Sequence, residues 1–311
     1  MGRQLLVRTV HSIPVLFGVT VAVFLLAHVV PGDPARIILG IHATPSAVAS
    51  LHHQLGLDRP LLTQYVRFVE GAAHLDFGDS LAQRTSVGDL IGSRLEVTLL
   101  LLAYSVVVAL VVGVPLALVS ALQRNRVADH LIRLFSMVTF AMPAFWLGLL
   151  LVLIFSLKLG WLPTSGYSSA SAIGRVRCLT LPALTIGLYL APILLRTLRA
   201  SVIDALRTEY VEAARARGLS ARRVLLRHAV RNSLSATITI LGAQIGFLLS
   251  GAVVVEIVFA LPGLGSLLVS SAVARDFPVV EALTLVFAIV VIVINLVTDL
   301  LYAVIDPRVR L

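Results

Sequence analysis

Residues 97–119 read VTLLLLAYSVVVALVVGVPLALV, and none of these 23 side chains is charged. An α-helix rises about 1.5 Å per residue, so a helix over this stretch crosses the ~30 Å hydrocarbon layer of a bilayer. Every backbone amide and carbonyl in lipid has to be paired within the protein, which restricts spanning segments to helices and closed barrels. Barrel strands alternate in hydrophobicity over short segments, and that alternation is absent from this sequence. The stretch therefore predicts a transmembrane helix.

The whole chain has the composition of a membrane protein. Of its 311 residues, 58% are hydrophobic and 13% are charged, whereas soluble domains contain roughly 45–50% apolar and 25% charged residues. Apolar segments of similar length recur, and they predict six spans: about 10–30, 97–119, 132–156, 179–198, 235–256 and 280–304. The predicted fold class is an all-α membrane protein with one transmembrane domain over residues 1–311.

The first span has one feature of a secretory signal peptide, because Arg3 and Arg8 precede its apolar run. The run from Ile13 to Val30 is longer than a usual signal h-region, however, and no clear small-residue cleavage site follows it. We expect an uncleaved first helix, with a cleaved signal as the alternative.

Basic residues are unevenly distributed between the connections. Sixteen lie at the two termini and in the second and fourth connections, and four lie in the third and fifth. Because cytoplasmic loops are enriched in Lys and Arg, this bias predicts that both termini are cytoplasmic. It also accounts for the net charge of +9 without a nucleic-acid partner.

The first connection, residues 31–96, is left out of the count of basic residues because only short loops report orientation. The topology inferred from the short connections places it outside the cell. It is rich in Pro, Gly, Asp and His and contains amphipathic stretches such as residues 61–69. A structureless loop of this length would be unusual. We therefore expect a folded extracellular cap.

The cytoplasmic segment 199–232 has a helical pattern up to Gly218, where glycine can adopt the left-handed conformation that ends a helix. Ser220 is a suitable N-cap for a second helix. The sequence thus predicts a helix, a turn and a helix at the membrane surface.

This segment contains Glu212-Ala213-Ala214, then Gly218 after three residues and His228 after nine more. That order resembles the EAA signature of ABC importer permeases, a surface loop whose short coupling helix sits in a groove of the ATPase subunit. Residues 210–218, which begin at Tyr210, and residues 228–232 are similar to the dipeptide, oligopeptide and nickel branch in particular. The Ile-x-Leu-Pro ending of many other permeases is absent.

Blocks elsewhere support the same resemblance over most of the chain. They look like the first of the two paired permeases of peptide systems, and they lie at residues 55–61, 64–65, 76–81, 251–259, 262–265, 275–278, 299–302 and 306–310.

The resemblance implies a type I ABC importer permease fold in the bacterial inner (plasma) membrane. It also implies four partners besides the lipid bilayer: a second homologous permease, two cytoplasmic ATPase subunits and an extracytoplasmic substrate-binding protein. ATP and Mg would be bound by the ATPases and no cofactor by this chain. The implied function is import of dipeptides or oligopeptides, with related systems handling nickel chelates, glutathione, haem or short sugars.

The side chains of residues 212–214 suit contact with an ATPase subunit. Ala213 and Ala214 have no long side chains, so another protein surface could approach closely, and Glu212 could engage a cation or a helix N-terminus. The alternative is a basic amphipathic helix that lies on anionic lipid headgroups. A DNA-binding helix-turn-helix is disfavoured because both ends are tethered to membrane.

Polar residues within the spans are functional candidates by default, because ionisable groups in lipid are unfavourable unless they face protein or water. Gln244 and Glu256 in span five and Asp299 in span six are the candidates for a pathway or gate. For Glu256 a structural tie to the turn at 262–263 is equally open, and for Asp299 a tether to an arginine such as Arg308 is favoured. Small residues around Gln244 could line a passage or simply pack.

No catalytic or metal site is predicted. The chain lacks a GxxxxGK[ST] phosphate loop, an HExxH stretch and a Ser-His-Asp constellation, so we expect a non-catalytic subunit. The adjacent His52 and His53 point apart on a helix, which disfavours a metal site. Two alternatives to an ABC permease remain open: a secondary transporter driven by an ion gradient and a membrane scaffold that recruits a cytoplasmic partner.

Overall fold

Helices make up most of the described chain, which a computed structural model covers at residues 2–29, 34–39, 43–56 and 58–305. In chain order they are α1 (Gly2–Val29), α2 (Pro34–Leu39), α3 (Pro45–Leu55), α4 (Leu61–Ala73), α5 (Val87–Leu122), α6 (Val127–Ala141), α7 (Ala144–Leu151), α8 (Ala172–Ala205), α9 (Glu209–Ala216), α10 (Ala221–Arg223), α11 (Arg231–Val258), α12 (Leu264–Ala274) and α13 (Phe277–Ile305). Helix α7 continues as a π-helix over Val152–Lys158, and a second π-helix, Val224–Val230, joins α10 to α11. Over these ranges the only β pairing is a bridge between Asp79 and Ser86. The predicted all-α class is confirmed.

Three helices are long and apolar enough to cross a membrane alone: α5, α8 and the part of α13 from Phe277 to Thr298. Two bent pairs, α6 with the α7 region and the two halves of α11, raise the number to five within the described residues. The predicted first span corresponds to a shorter apolar stretch, His11–Leu25, inside α1. A multi-pass helical membrane protein is therefore established, and the count of six stays a prediction.

The predicted third span is broken near its middle. Helix α6 ends at Ala141, and the following helical segment, Ala144–Lys158, is inclined by 108° to it. Pro143 is the physical cause, because a proline disfavours the helical conformation of the preceding residue and cannot donate to the helix ladder. Met142 is accordingly extended, with φ −78° and ψ 132°.

The described chain divides into two units, and the larger contains residues 98–262 and 293–305. Within it α5 and α8 approach closely at glycines: a Cβ on Gly187 would lie 2.6 Å from Val108 Cγ1, and a Cβ on Gly113 would lie 3.2 Å from the Ala191 carbonyl oxygen. In lipid, where helix association gains little from the hydrophobic effect, such close backbone packing is the main source of stability. Helix α8 supplies six buried leucines, including Leu194 and Leu198.

The second unit contains residues 2–97 and 263–292. Its core joins the first turns of α5, at Val87 and Ile91, to Leu267 on α12 and Leu283 on α13. Residues 87–96, which the sequence placed in the cap, are thus the start of a 36-residue helix.

Three short helices occupy much of the predicted cap. The Thr44 hydroxyl accepts from the Ala47 amide at the start of α3, and Gly56 ends that helix with φ +69°. Helix α4 packs on α1 through Tyr65, whose ring lies 5.4 Å from that of Phe24. The segment is therefore helical, as expected, and its extracellular location stays a prediction.

Candidate functional site

The segment with the permease signature contains a separate short helix. The sequence predicts one helical pattern up to Gly218, but the chain leaves the α8 helix after Ala205 and restarts at Glu209. Thr208 marks the break: its backbone is extended, and its hydroxyl donates to the Ala205 carbonyl at 2.6 Å. A threonine hydroxyl bonded to the preceding turn competes with the helix ladder, which accounts for the interruption. The result is an eight-residue helix, α9.

Helix α9 has an inner and an outer face. Val211 and Ala214 are buried in a small cluster with Val224, whereas Glu212 and Ala213 are exposed. The expectation that both alanines admit a partner surface needs correction, because Ala214 is covered by its own chain. Its spacing from Val211 places the two side chains on one helix face. Of the two signature alanines, Ala213 is the exposed one that a partner surface can approach.

The two ends of the signature meet in space. The Tyr210 and His228 rings, 18 residues apart in sequence, have centroids 6.4 Å apart. Gly218 has φ +80°, as predicted for the left-handed turn, and a Cβ there would meet nothing within 4 Å. Ser220 is extended at the start of α10, as predicted, but its side chain makes no capping hydrogen bond. The contact between the Tyr210 and His228 rings holds α9 against the π-helix that joins α10 to α11.

A buried carboxylate lies beside this region, and the sequence reasoning missed it. Asp129 is fully buried on α6. Arg199 of α8 donates to it through Nε at 3.0 Å and Nη2 at 2.8 Å, the Ser120 hydroxyl donates at 2.5 Å, and the Asn125 amide donates at 2.9 Å. We call these residues the Asp129 clamp. It ties the end of α5 and the start of α6 to the last turns of α8, from which the chain enters α9.

One signal for the clamp was present in the sequence. Asp129 is a carboxylate at the edge of an apolar segment, between Arg126 and Arg133, and an ionisable residue in such a place needs a partner. The identity of that partner could not be read, because Arg199 is 70 residues away.

A cavity of about 470 Å³ lies in the larger unit between α6, α8 and α11. Its lining includes Phe140 and Met142 at the α6–α7 break, Tyr189 on α8, and Gln244 and Ser250 on α11. Gln244, predicted as a pathway residue, therefore faces a cavity. Its half-buried amide group has no hydrogen-bond partner among the side chains that the structure describes. An amide in that setting is available to a ligand or to water.

The small residues of α11 divide between packing and lining. A Cβ on Gly242 would lie 2.4 Å from Thr298 Cγ2, so this glycine allows α11 to contact α13. Ser250 and Gly251 instead line the cavity.

Glu256 has a different environment from Gln244. It is fully buried, and the Thr98 hydroxyl donates to its Oε1 at 2.7 Å. Its backbone carbonyl accepts from the Leu261 amide at 2.8 Å, at the start of the turn that leads to Pro262. These contacts favour a structural role over a gate. The side chain of Asp299, the third candidate, lies outside the described residues.

A second buried carboxylate stabilises a loop in the smaller unit. Asp276 accepts from the Ser80 hydroxyl at 2.5 Å and from the Leu81 and Ala82 amides at 3.0 and 3.3 Å. Two separate blocks of the sequence resemblance, 76–81 and 275–278, therefore meet here. No role for Asp276 is predicted from the sequence, although an aspartate before a helix is a common N-cap.

The histidine pair also has an ordinary explanation. His53 Nδ1 donates to Asp58 Oδ2 at 2.8 Å, and this hydrogen bond lowers the pKa of the Asp58 carboxyl. In the described parts of the chain, no three His, Cys, Asp or Glu side chains are grouped closely enough to hold a metal ion.

Comparison with known protein families gives two matches that together span nearly the whole chain. Residues 113–311 match the family described as binding-protein-dependent transport system inner membrane component, and residues 1–102 match the N-terminal part of such membrane components. The chain is also 43% identical over 310 residues to the glutathione transport system permease protein GsiC of Escherichia coli K12, covering 100% of this chain and 99% of that protein. GsiC of Shigella flexneri matches to the same extent.

Solved structures give the same fold. The inward-facing MetNI methionine ABC transporter aligns with a TM-score of 0.59 at 15% identity, covering 70% of this chain and 96% of that chain. An amino acid ABC transporter crystallised with histidines aligns with a TM-score of 0.50 at 16% identity, covering 71% and 94%. At such identities the likeness establishes the fold alone.

Proposed function

The chain belongs to the family of binding-protein-dependent transport inner membrane components and is a permease subunit of an ABC importer, and we propose that the importer carries small peptides, glutathione among them. In this role the chain forms half of the translocation pathway and is not itself an enzyme. It is a multi-pass protein of the inner membrane.

The observation that carries the substrate proposal is the 43% identity to a glutathione transport permease, which extends over the entire chain. Glutathione is a tripeptide, so this relative supports the peptide class that the sequence resemblance implied. Dipeptides and oligopeptides belong to the same proposal, because the coupling segment and the cap blocks resemble those of peptide systems.

The geometry of residues 199–232 supports coupling to an ATPase. A short helix with an exposed acid and an exposed alanine has a surface on which a partner groove can close, and its inner face is fixed through Val211 and Ala214. The Asp129 clamp attaches the end of α8 to two neighbouring helices. A push on α9 would therefore move α5, α6 and α8 together instead of bending one helix end.

The proposed assembly contains this permease, a second homologous permease, two ATPase subunits and an extracytoplasmic binding protein. ATP and Mg bind to the ATPases. Closure of the ATPases on α9 would switch the pathway between inward-facing and outward-facing states, with both termini of this chain in the cytoplasm.

The test is ATP-dependent uptake by the complete complex, purified with its partners and reconstituted with its binding protein. Glu212→Ala and Gly218→Ala are compared with Asp89→Asn, which alters an exposed acid in the other unit. We expect the two coupling variants to lose binding-protein stimulation of ATP hydrolysis and uptake of glutathione or dialanine together. The control should retain both activities.

Unchanged coupling in both Glu212→Ala and Gly218→Ala would contradict the assignment of α9. Uptake that follows an ion gradient without ATP would instead support a secondary transporter. A chain that holds an ATPase tightly but supports no uptake would support the scaffold alternative.

A further inference from the structure

We propose that the cavity between α6, α8 and α11 binds the peptide during passage, and that Arg196 at its edge binds a substrate carboxylate. This inference rests on the proposed function and adds a ligand group and a residue to it. Uncharged side chains line the cavity. The positive charge that would bind a carboxylate comes from Arg196 beside it.

Arg196 is held above an aromatic wall. Its guanidinium carbon lies 5.4 Å from the centroid of the Phe140 ring. The Phe140 ring in turn stacks on Tyr189, with centroids 5.6 Å apart and planes inclined by 19°. Phe140 and Tyr189 both line the cavity. Tyr189 and Arg196 are seven residues apart on α8, which places them on one helix face two turns apart. The charge therefore lies beside a ring that lines the cavity, although Arg196 is not itself one of the lining residues.

The position of Arg196 needs a polar environment. It lies nine residues before the end of α8 at Ala205, or about 13 Å along the helix axis. Arg199, one turn further on, is committed to Asp129, whereas no described carboxylate lies within salt-bridge distance of Arg196. A cation on an apolar helix is retained where it faces protein, water or headgroups. An exposed guanidinium beside a cavity meets that condition.

The cavity matches a peptide in its other groups. The Gln244 amide can donate to and accept from a peptide bond, and the aromatic wall offers apolar area for side chains. Guanidinium groups bind carboxylates with two parallel hydrogen bonds, a geometry that suits a peptide C-terminus. Every unmodified peptide has that terminus, so one arginine serves peptides of different sequence.

The test uses cysteine chemistry in the complete complex in nanodiscs. The single native cysteine, Cys178, is replaced by alanine, and Ser250→Cys places a thiol in the cavity. The probes are two methanethiosulfonate reagents, one with an anionic sulfonate and one with a cationic trimethylammonium. Arg196 should favour the anionic reagent, and Arg196→Gln should lower the anionic-to-cationic rate ratio several-fold, because attraction of the anion and repulsion of the cation are lost together. Arg196→Lys should retain the ratio.

Protection by substrate gives the second measurement. Dialanine should slow modification of the cysteine at position 250, and dialanine amide should need at least about tenfold more for the same protection, the contribution of one charge-assisted pair. In the Arg196→Gln variant, dialanine and dialanine amide should protect the cysteine equally well. Arg124→Gln, which changes an exposed arginine between α5 and α6, should leave ratio and protection unchanged.

Three results would overturn the inference. A cysteine at 250 that reacts with neither reagent would show that the cavity faces lipid. A rate ratio and protection that do not depend on residue 196 would remove its role. An effect of Arg196→Gln that appears only in nanodiscs with anionic lipid would assign this arginine to headgroups. Any of these in a complex that still imports glutathione or dialanine with ATP refutes this inference alone, whereas absent uptake refutes the proposed function.

Discussion

Replacing Asp129 by asparagine should destabilise the permease strongly. The carboxylate is fully buried and receives two hydrogen bonds from Arg199, one from Ser120 and one from the Asn125 amide. Asparagine keeps the shape but removes the charge, which leaves the Arg199 guanidinium, only 19% exposed, without its counter-ion. Removing one partner of a buried ion pair costs about 3–5 kcal/mol, and the residual exposure of Arg199 points to about 3 kcal/mol.

The assay is equilibrium unfolding of the purified permease in mixed micelles titrated with SDS. Asp204→Asn is the matched control, because Asp204 is an exposed carboxylate on the same helix as Arg199, and it should change the unfolding free energy by less than about 0.5 kcal/mol. The double variant Asp129→Asn with Arg199→Gln removes both charges of the buried pair, and the remaining partner of Asp129, Arg133 at 3.7 Å, is 43% exposed. It should be more stable than the sum of the single changes by at least about 1 kcal/mol. Equal effects of Asp129→Asn and Asp204→Asn, or strict additivity in the cycle, would refute the clamp.

Three further changes test contacts that lie within one or the other of the two units. Gly187→Val inserts a side chain where a Cβ alone would lie 2.6 Å from a neighbour, so it should cost about 3 kcal/mol in the same unfolding assay, whereas Gly92→Val, in open space, should lower stability much less. Asp276→Asn weakens the acceptor for the 80–82 turn and should speed protease cleavage there several-fold, measured on gels; unchanged cleavage would contradict the contact. Thr98→Val removes the donor to a buried glutamate and should cost about 1 kcal/mol, and Thr98→Ser, which keeps the hydroxyl, should not.

The long helices and the signature turn could be predicted because each depends on local sequence. An uncharged stretch of 23 residues specifies α5, and a glycine after a helical pattern specifies the left-handed turn at Gly218. The small size of Ala214 does not by itself indicate exposure, whereas its three-residue spacing from Val211 places it on the buried face of α9. The bend after Ala141 was missed since an apolar run continues on both sides of Pro143.

The contacts between distant elements could not be predicted in the same way. Arg199 was counted only as one of many cytoplasmic arginines, and nothing in its local sequence distinguishes it from Arg196. The structure separates the two by their neighbours: a buried carboxylate for the first and an aromatic wall for the second. The partner of Glu256 on α5, Thr98, could likewise not be identified from the local sequence.

The most direct measurement of the central claim is cross-linking of α9 to the ATPase. In a chain with Cys178 replaced by alanine, Ala213→Cys and Ala214→Cys carry the same thiol on adjacent residues, one exposed and one buried. After labelling with a benzophenone maleimide in membranes that contain the complete complex, the variant at 213 should form a covalent adduct with the ATPase, and the variant at 214 should form far less. Absence of an ATPase adduct with the variant at 213 would contradict the account. So would labelling of that variant by a membrane-impermeant reagent added outside intact cells.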